Sequence, residues 1–354
     1  MEESFQQTGI QEIVYIYSAQ EEGGTSLIAE SKDNSMVEEL SLKKNSITLQ
    51  YIVDKCGGLI DEVCGKVLPM KLYGVTSWSD ADTYTVSWIN RTIEERQKVA
   101  EGLQSKVVVC GTDIEYTHVM KETGKVLLKS AHPRLLIIKI SSMFVEKVMP
   151  YIAPSAVIDK DAVISNGCYI GHNCVIGKCV VGENTMIRDG AIICDNVQIG
   201  CDCNINYSSV IGCSCSGIER DLDYKLISFP HFSSVIIGDR VNIGVRTTIV
   251  KGVLTPTTIG DGSTIDSHCI IGHNTNIGED VYIASDSCIN GSVKIGKGVT
   301  IFSKSTVAEW IRIGEYSVIG QASLVRCEIP SYEMWFGHPA KFNRRLTEKF
   351  LPFE

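Results

Sequence analysis

Aliphatic residues recur every six positions through the second half of this chain. Ile259, Ile265, Ile271, Ile277, Ile283, Ile289, Ile295, Ile301, Val307, Ile313 and Ile319 form an unbroken series. An earlier run, Ile152, Ile158, Ile164, Ile170 and Ile176, slips by one residue and resumes as Val181, Ile187, Ile193, Ile199, Ile205 and Ile211, and Ile237, Ile243 and Ile249 lie between the runs. Helices repeat at 3.6 and strands at 2, so neither produces a period of six. A hexapeptide β-helix does. The aliphatic residue then points inward. The residue after it is often Gly, as at Gly171, Gly244 and Gly272, and is expected to turn the corner through a positive φ. The position four after the aliphatic one is mostly small, for example Ala156, Cys168, Cys203, Cys269 and Ser317, as a second inward position beside each corner demands. Stacked rungs would place most backbone donors and acceptors in parallel ladders.

The rest of the chain is organised around that repeat. Residues 1–45 read as a polar N-terminal extension with strand-like stretches only at Ile13–Tyr17 and Ser26–Ala29. Residues 46–149 read as a small α/β domain resembling a nucleotide-binding unit. Helices are expected over Ser46–Gly57, Ile93–Gly102 and His132–Val145, and strands over Leu72–Val75 and Val107–Val109. The β-helix is expected over 150–330, from Pro150 to Pro330, with loop insertions at 212–236 and 251–258, and a short cap over 331–354. Insertions in a strict repeat tend to mark a binding face.

Composition narrows the function class. The 354 residues carry a net charge of −9 and no Lys/Arg block, which argues against nucleic acid or a polybasic membrane anchor as partner. No apolar run reaches the ~18 residues of a membrane span. The N-terminus lacks an export signal, and the 14 cysteines include no Cys-x-x-Cys pair. The expectation is a cytoplasmic protein with free thiols.

Gly74–Ser77 and Val86–Asn90, followed by Tyr151–Ile158 and the long hexapeptide run with Ile237–Val241 and Ile265–Asn274, resemble the UDP-3-O-acylglucosamine N-acyltransferases. These belong to the left-handed β-helix acyltransferases, and the resemblance covers roughly residues 46–330. It implies a mainly β protein built on a left-handed parallel β-helix, a homotrimer, and active sites between neighbouring subunits. It implies no permanently bound cofactor and no metal. An acyl thioester serves as co-substrate, and a nucleotide-linked amino sugar as acceptor. His273 matches the family's general base, and Trp88 stands where a family Phe stacks on uracil. The chain departs from the family at Val250, at Trp310 in place of a second His, and at Asn90-Arg91-Thr92-Ile93 in the uridine-contacting segment. Gly337-His338-Pro339-Ala340-Lys341 resembles the ending of CoA-dependent sugar acetyltransferases, and the family's long C-terminal helices, which engage acyl carrier protein, have no counterpart. Acyl-CoA is therefore expected over acyl carrier protein as donor, and a related nucleotide-sugar N-acyltransferase over the lipid A enzyme itself.

N-acylation requires a base for the amine proton and a donor for the oxyanion. Gly-His-Asn occurs at Gly171–Asn173 and at Gly272–Asn274. His273 is expected to be the base because its surroundings match the family and it lies one turn after the 251–258 insertion. Three hexads make a rung of 18 residues, so Gly291 should stack on His273 at about 4.8 Å with its N–H open, and the family's oxyanion donor falls on the same position. The same arithmetic sets His268 over Asp286, where it would orient substrate. His231 in the first insertion would line the acyl or sugar pocket, Asn90 would contact substrate, and Arg91 would pair with diphosphate. Two other functions compete. One is a non-catalytic nucleotide-sugar scaffold. The other is a metal hydratase of the gamma carbonic anhydrase type, whose His pair shares the spacing of His268 and His273 but whose zinc needs a third His.

Overall fold

The computed structural model describes residues 46–90, 94–146, 148–215 and 217–347. The expected strands before residue 46 lie outside them. The chain divides into two compact units, Met1–Glu146 and Lys147–Glu354.

In the first unit, β1 (Ile47–Thr48) leads directly into α1 (Leu49–Cys56). The helix begins at Leu49 rather than Ser46 because Ile47 and Thr48 pair antiparallel with β3 (Lys71–Leu72). Thr48 then caps it, its hydroxyl accepting from the Tyr51 N–H at 3.2 Å. A five-stranded sheet is built from β2 (Glu62–Cys64), β4 (Gly74–Thr76), β5 (Thr85–Trp88), β6 (Val107–Cys110) and β7 (Val126–Lys129), in the order β2-β7-β6-β5-β4 with only β2 antiparallel. Successive side chains of β6 face opposite ways. Val107 and Val109 pack with Leu49 and Ile52 of α1 and with Leu136 and Ile140 of α4 (Pro133–Ser142). Val108 packs on the other side with Ala100 of α2 (Arg96–Gly102) and Met120 of α3 (His118–Glu122).

The second unit is a left-handed parallel β-helix. Its three faces are sheets of 11, 9 and 8 strands. The first face runs from Tyr151–Ile152, the second from Val157–Ile158 and the third from Val163–Ile164. The predicted aliphatic series is the core from Ile170 onward, while Ile152 at the start of the helix is exposed and Ile158 and Ile164 are half-buried. Ile249, Ile271 and Ile289 stack in register on the second face, and each is fully buried. Burying an Ile side chain contributes about 1.5–3 kcal/mol, repeated at every step. The small second position is also filled as expected: Cys168, Cys174, Cys203 and Cys269 are buried, and all fourteen cysteines are free thiols. After the last full rung, Glu333–Phe336 adds parallel to the first face, and Lys341–Arg345 folds back antiparallel upon it.

The corners differ from the sequence expectation. The left-handed residue is three after the inward aliphatic, not one. Asn173, Asn184, Asp202, Asn274, Asp280 and Asp286 occupy it with φ between 53° and 61°, and Asn and Asp tolerate that region best among residues with a Cβ. The Gly directly after the aliphatic residue has another cause. A Cβ on Gly272 would lie 2.6 Å from the backbone of Asn290 and Gly291 in the next rung. The rungs simply approach too closely there for any side chain.

Both insertions leave the helix from the same edge. The first lies between Val210–Cys213 on the second face and Val235–Ile237 on the third, and it carries an antiparallel hairpin, Gly217–Arg220 with Leu226–Phe229. The second lies between Thr248–Val250 and Thr257–Ile259. They are knitted together: Phe232 N–H donates to the Val253 carbonyl at 2.9 Å, Gly252 N–H to the Ser234 carbonyl at 3.2 Å, and Thr257 N–H to the same Ser234 carbonyl at 3.1 Å.

Candidate active site

His273 stands on this same edge. It lies between Ile270–Ile271 of the second face and Asn276–Ile277 of the third. Gly291 occupies the equivalent corner one rung on, and a Cβ there would come within 2.6 Å of His273 Nε2 and Cε1. At the same position of other hexads, two after the inward aliphatic, an Asp accepts the main-chain N–H of the residue beneath it. Asp189 accepts from His172, Asp195 from Lys178 and Asp239 from Cys201, each at 2.8 Å. Glycine replaces that carboxylate above His273, and the imidazole packs against it in the room a side chain would take.

Asn274 anchors the ring. Its Nδ2 donates to the Thr255 carbonyl and to Thr255 Oγ1, both at 2.8 Å, while its Oδ1 accepts from the Val253 N–H at 3.2 Å. That same Oδ1 lies 2.9 Å from His273 Nδ1. The second insertion therefore reaches back to the residue beside His273.

The first insertion supplies His231, which is only 7% exposed. Its ring meets the His273 ring edge-on, with centroids 5.7 Å apart and planes at 66°. Its Nε2 is 3.8 Å from the Cys215 Sγ. Burial, reinforced by the proximity of His273, holds the His231 pKa below its ordinary value. Burial pushes the Cys215 thiol up, and the Glu309 carboxylate adds to this. Cys215 and Glu309 were not singled out from the sequence. Rung arithmetic applied twice to His273 would have reached Glu309, but nothing in the repeat points to Cys215.

The other candidates lie elsewhere. His268 sits on the preceding edge, between Thr264–Ile265 of the first face and Ile270–Ile271 of the second. Its Nδ1 is 3.5 Å from Asp286 Oδ1, the partner expected from the 18-residue rung. His172 also lies between the first and second faces. Its Nδ1 is 3.0 Å from Ser155 Oγ. In the first unit, Trp88 ends β5 and packs against the sheet core, with its Nε1 buried and without a hydrogen-bond partner. Asn90 follows on the same strand end, and Arg91 lies outside the described residues. Among the described residues no group of three His, Cys, Asp or Glu side chains could hold a metal ion, and no helix is long and apolar enough to cross a membrane.

Comparison with known proteins agrees with the repeat. The bacterial transferase hexapeptide family model matches residues 256–291, which include His273, Asn274 and Gly291. A UDP-N-acetylglucosamine acyltransferase from Bacteroides fragilis shares the fold at a TM-score of 0.50, with 24% identity over 55% of this chain and 74% of that one. The chain is thus a hexapeptide-repeat protein with the β-helix fold. More particularly, it resembles the UDP-3-O-acylglucosamine N-acyltransferases. The one from Polynucleobacter asymbioticus is 26% identical over 230 residues, 57% of this chain and 64% of that protein. The one from Pseudoalteromonas translucida is 43% identical over 77 residues, 22% of each chain. The chain spans less than two thirds of the length of either relative.

Proposed function

We propose that this protein is an N-acyltransferase that moves an acyl group from a thioester to the amine of a UDP-linked glucosamine derivative, with His273 as general base. The amine nitrogen attacks the thioester carbon, the carbonyl oxygen becomes an oxyanion, and His273 takes the amine proton. Collapse forms the amide and expels the thiolate, which takes back the proton held by His273 and leaves as the thiol. Gly291 N–H is the oxyanion donor in this reading, and His231 lines the pocket beside the base. Asn90, Arg91 and Trp88 contact the nucleotide, and His268 contacts substrate. The observation that carries the reading is the pairing of a half-buried imidazole with a glycine directly above it, inside the segment matched by the transferase hexapeptide model. The relatives named as UDP-3-O-acylglucosamine N-acyltransferases support the choice of acceptor. Cys215 and Gly291, 76 positions apart in sequence, are drawn to one site by the two insertions rather than by neighbouring sequence.

The deciding experiment is single-turnover acylation with UDP-3-O-acylglucosamine, UDP-glucosamine and UDP-N-acetylglucosamine as acceptors. Each is offered with acyl-CoA and with acyl carrier protein thioesters. Amide formation on a free amine supports the reading, and a scaffold would give none with any pair. The Gly337–Lys341 segment favours CoA as donor, so turnover with carrier-protein thioesters alone would overturn that choice. A homotrimer is part of the same reading, and sedimentation as a monomer at micromolar concentration would contradict it.

A further inference from the structure

We infer that Asn274, clamped by Thr255 of the 251–258 insertion, fixes the tautomer of His273 so that Nε2 presents a bare lone pair beneath Gly291. The inference rests on the reading of His273 as base, and it assigns Asn274 and Thr255 as positioning residues for it.

The hydrogen bonds leave one solution. An Asn amide can be turned end for end unless its partners forbid it. Here both ends are fixed. The Thr255 carbonyl only accepts, so the atom 2.8 Å from it must be the NH₂ group. The Val253 N–H only donates, so the atom 3.2 Å from it must be the carbonyl oxygen. Asn274 Oδ1 is therefore the atom facing His273 Nδ1 at 2.9 Å. A carbonyl oxygen offers no proton, so neutral His273 must carry its proton on Nδ1 and leave Nε2 unprotonated. Nε2 is one of the two ring atoms nearest Gly291, the oxyanion donor in the proposed reading, so the bare lone pair lies on the side of the ring where the reaction is placed.

The clamp is built into the chain locally. Asn274 holds the left-handed corner with φ 58°, a conformation Asn adopts readily. That conformation belongs to the corner, while the side chain is free to reach the insertion. Gly252 faces the Thr255 carbonyl so closely that any Cβ would overlap it. The insertion thus turns tightly to bring that carbonyl to Asn274. His172 and Asn173 repeat the same dipeptide at another edge, but there the His172 Nδ1 faces Ser155 Oγ. A hydroxyl can donate or accept, so that ring is not held to one tautomer.

The test reads the tautomer without any substrate. Protein labelled with ¹⁵N-histidine is examined by nitrogen NMR at a pH where His273 is neutral, and His273→Gln identifies its signals. The expected spectrum has a protonated Nδ1 and a bare Nε2 in the wild type, and a mixture of both tautomers in Asn274→Leu. A proton on Nε2 in the wild type, or a tautomer ratio unmoved by Asn274→Leu, would overturn the inference. Kinetics supply the second readout. Asn274→Leu should lower kcat by about tenfold or more, short of the ~10²–10⁴ attributed to the base itself. Asn274→Asp retains an acceptor for Nδ1 and adds a negative charge, so the acid limb of its kcat/KM profile should move to higher pH. Unchanged activity in His273→Gln would remove the function reading and leave the tautomer result standing, so the two failures are separable.

Discussion

Gly291 lies directly over the His273 imidazole, so close that a single added carbon would sit 2.6 Å from Nε2. The relationship differs from that between Gly272 and its neighbour, where the added carbon would meet main-chain atoms at the same distance. A ring can swing aside and a backbone cannot. Gly291→Ala should therefore leave the melting temperature nearly unchanged while lowering kcat by at least about tenfold. Gly272→Ala should destabilise the helix by about 1–3 kcal/mol, as overpacking does. Thermal melts and initial rates on the two variants test the contrast, and a Gly291→Ala enzyme of normal activity would refute it.

His273→Ala should lower kcat by about 10²–10⁴ and leave nucleotide affinity nearly intact, because the loss falls on the transition state. Wild-type activity should rise from acid towards neutral pH, since a protonated imidazole accepts no proton. His172→Ala should change activity little, because His172 lies on a different edge from both insertions. Rates for both variants between about pH 6 and 9 decide the matter, and a larger loss at His172 would show that the wrong Gly-His-Asn was chosen.

His231 should make stability pH-dependent. Burial and the nearby His273 depress its pKa in the folded protein. As pH falls, the unfolded chain takes up the proton first, so the favourable contribution present above about pH 6.5 is lost below it. The fall in melting temperature between about pH 7.5 and 5.0 should be shallower in His231→Gln than in the wild type. Parallel slopes would show that His231 does not contribute to the acid sensitivity.

Ile271→Ala removes a fully buried side chain stacked between Ile249 and Ile289. The expected cost is about 2–5 kcal/mol. Denaturant unfolding measures it, and a cost under about 1 kcal/mol would mean that the rung collapses around the deletion.

The six-residue period by itself determined the β-helix, its inward aliphatic column and the partners one rung apart. Gly291 over His273 and Asp286 beside His268 follow from adding three hexads, because stacked rungs convert sequence distance into a vertical neighbour. The same logic explains why the corner glycines were misread: periodicity says where a Gly recurs but not whether φ or a neighbouring rung requires it. The tertiary structure alone decided which corners meet. His268 and His273 are five residues apart yet stand on different edges, because a short strand separates them. His231, Cys215 and Thr255 come to His273 through two insertions that leave one edge and bond to each other. Those contacts have no period. They depend on hydrogen bonds between loops distant in sequence, such as Phe232 to Val253 and Asn274 to Thr255, and only the folded chain closes them.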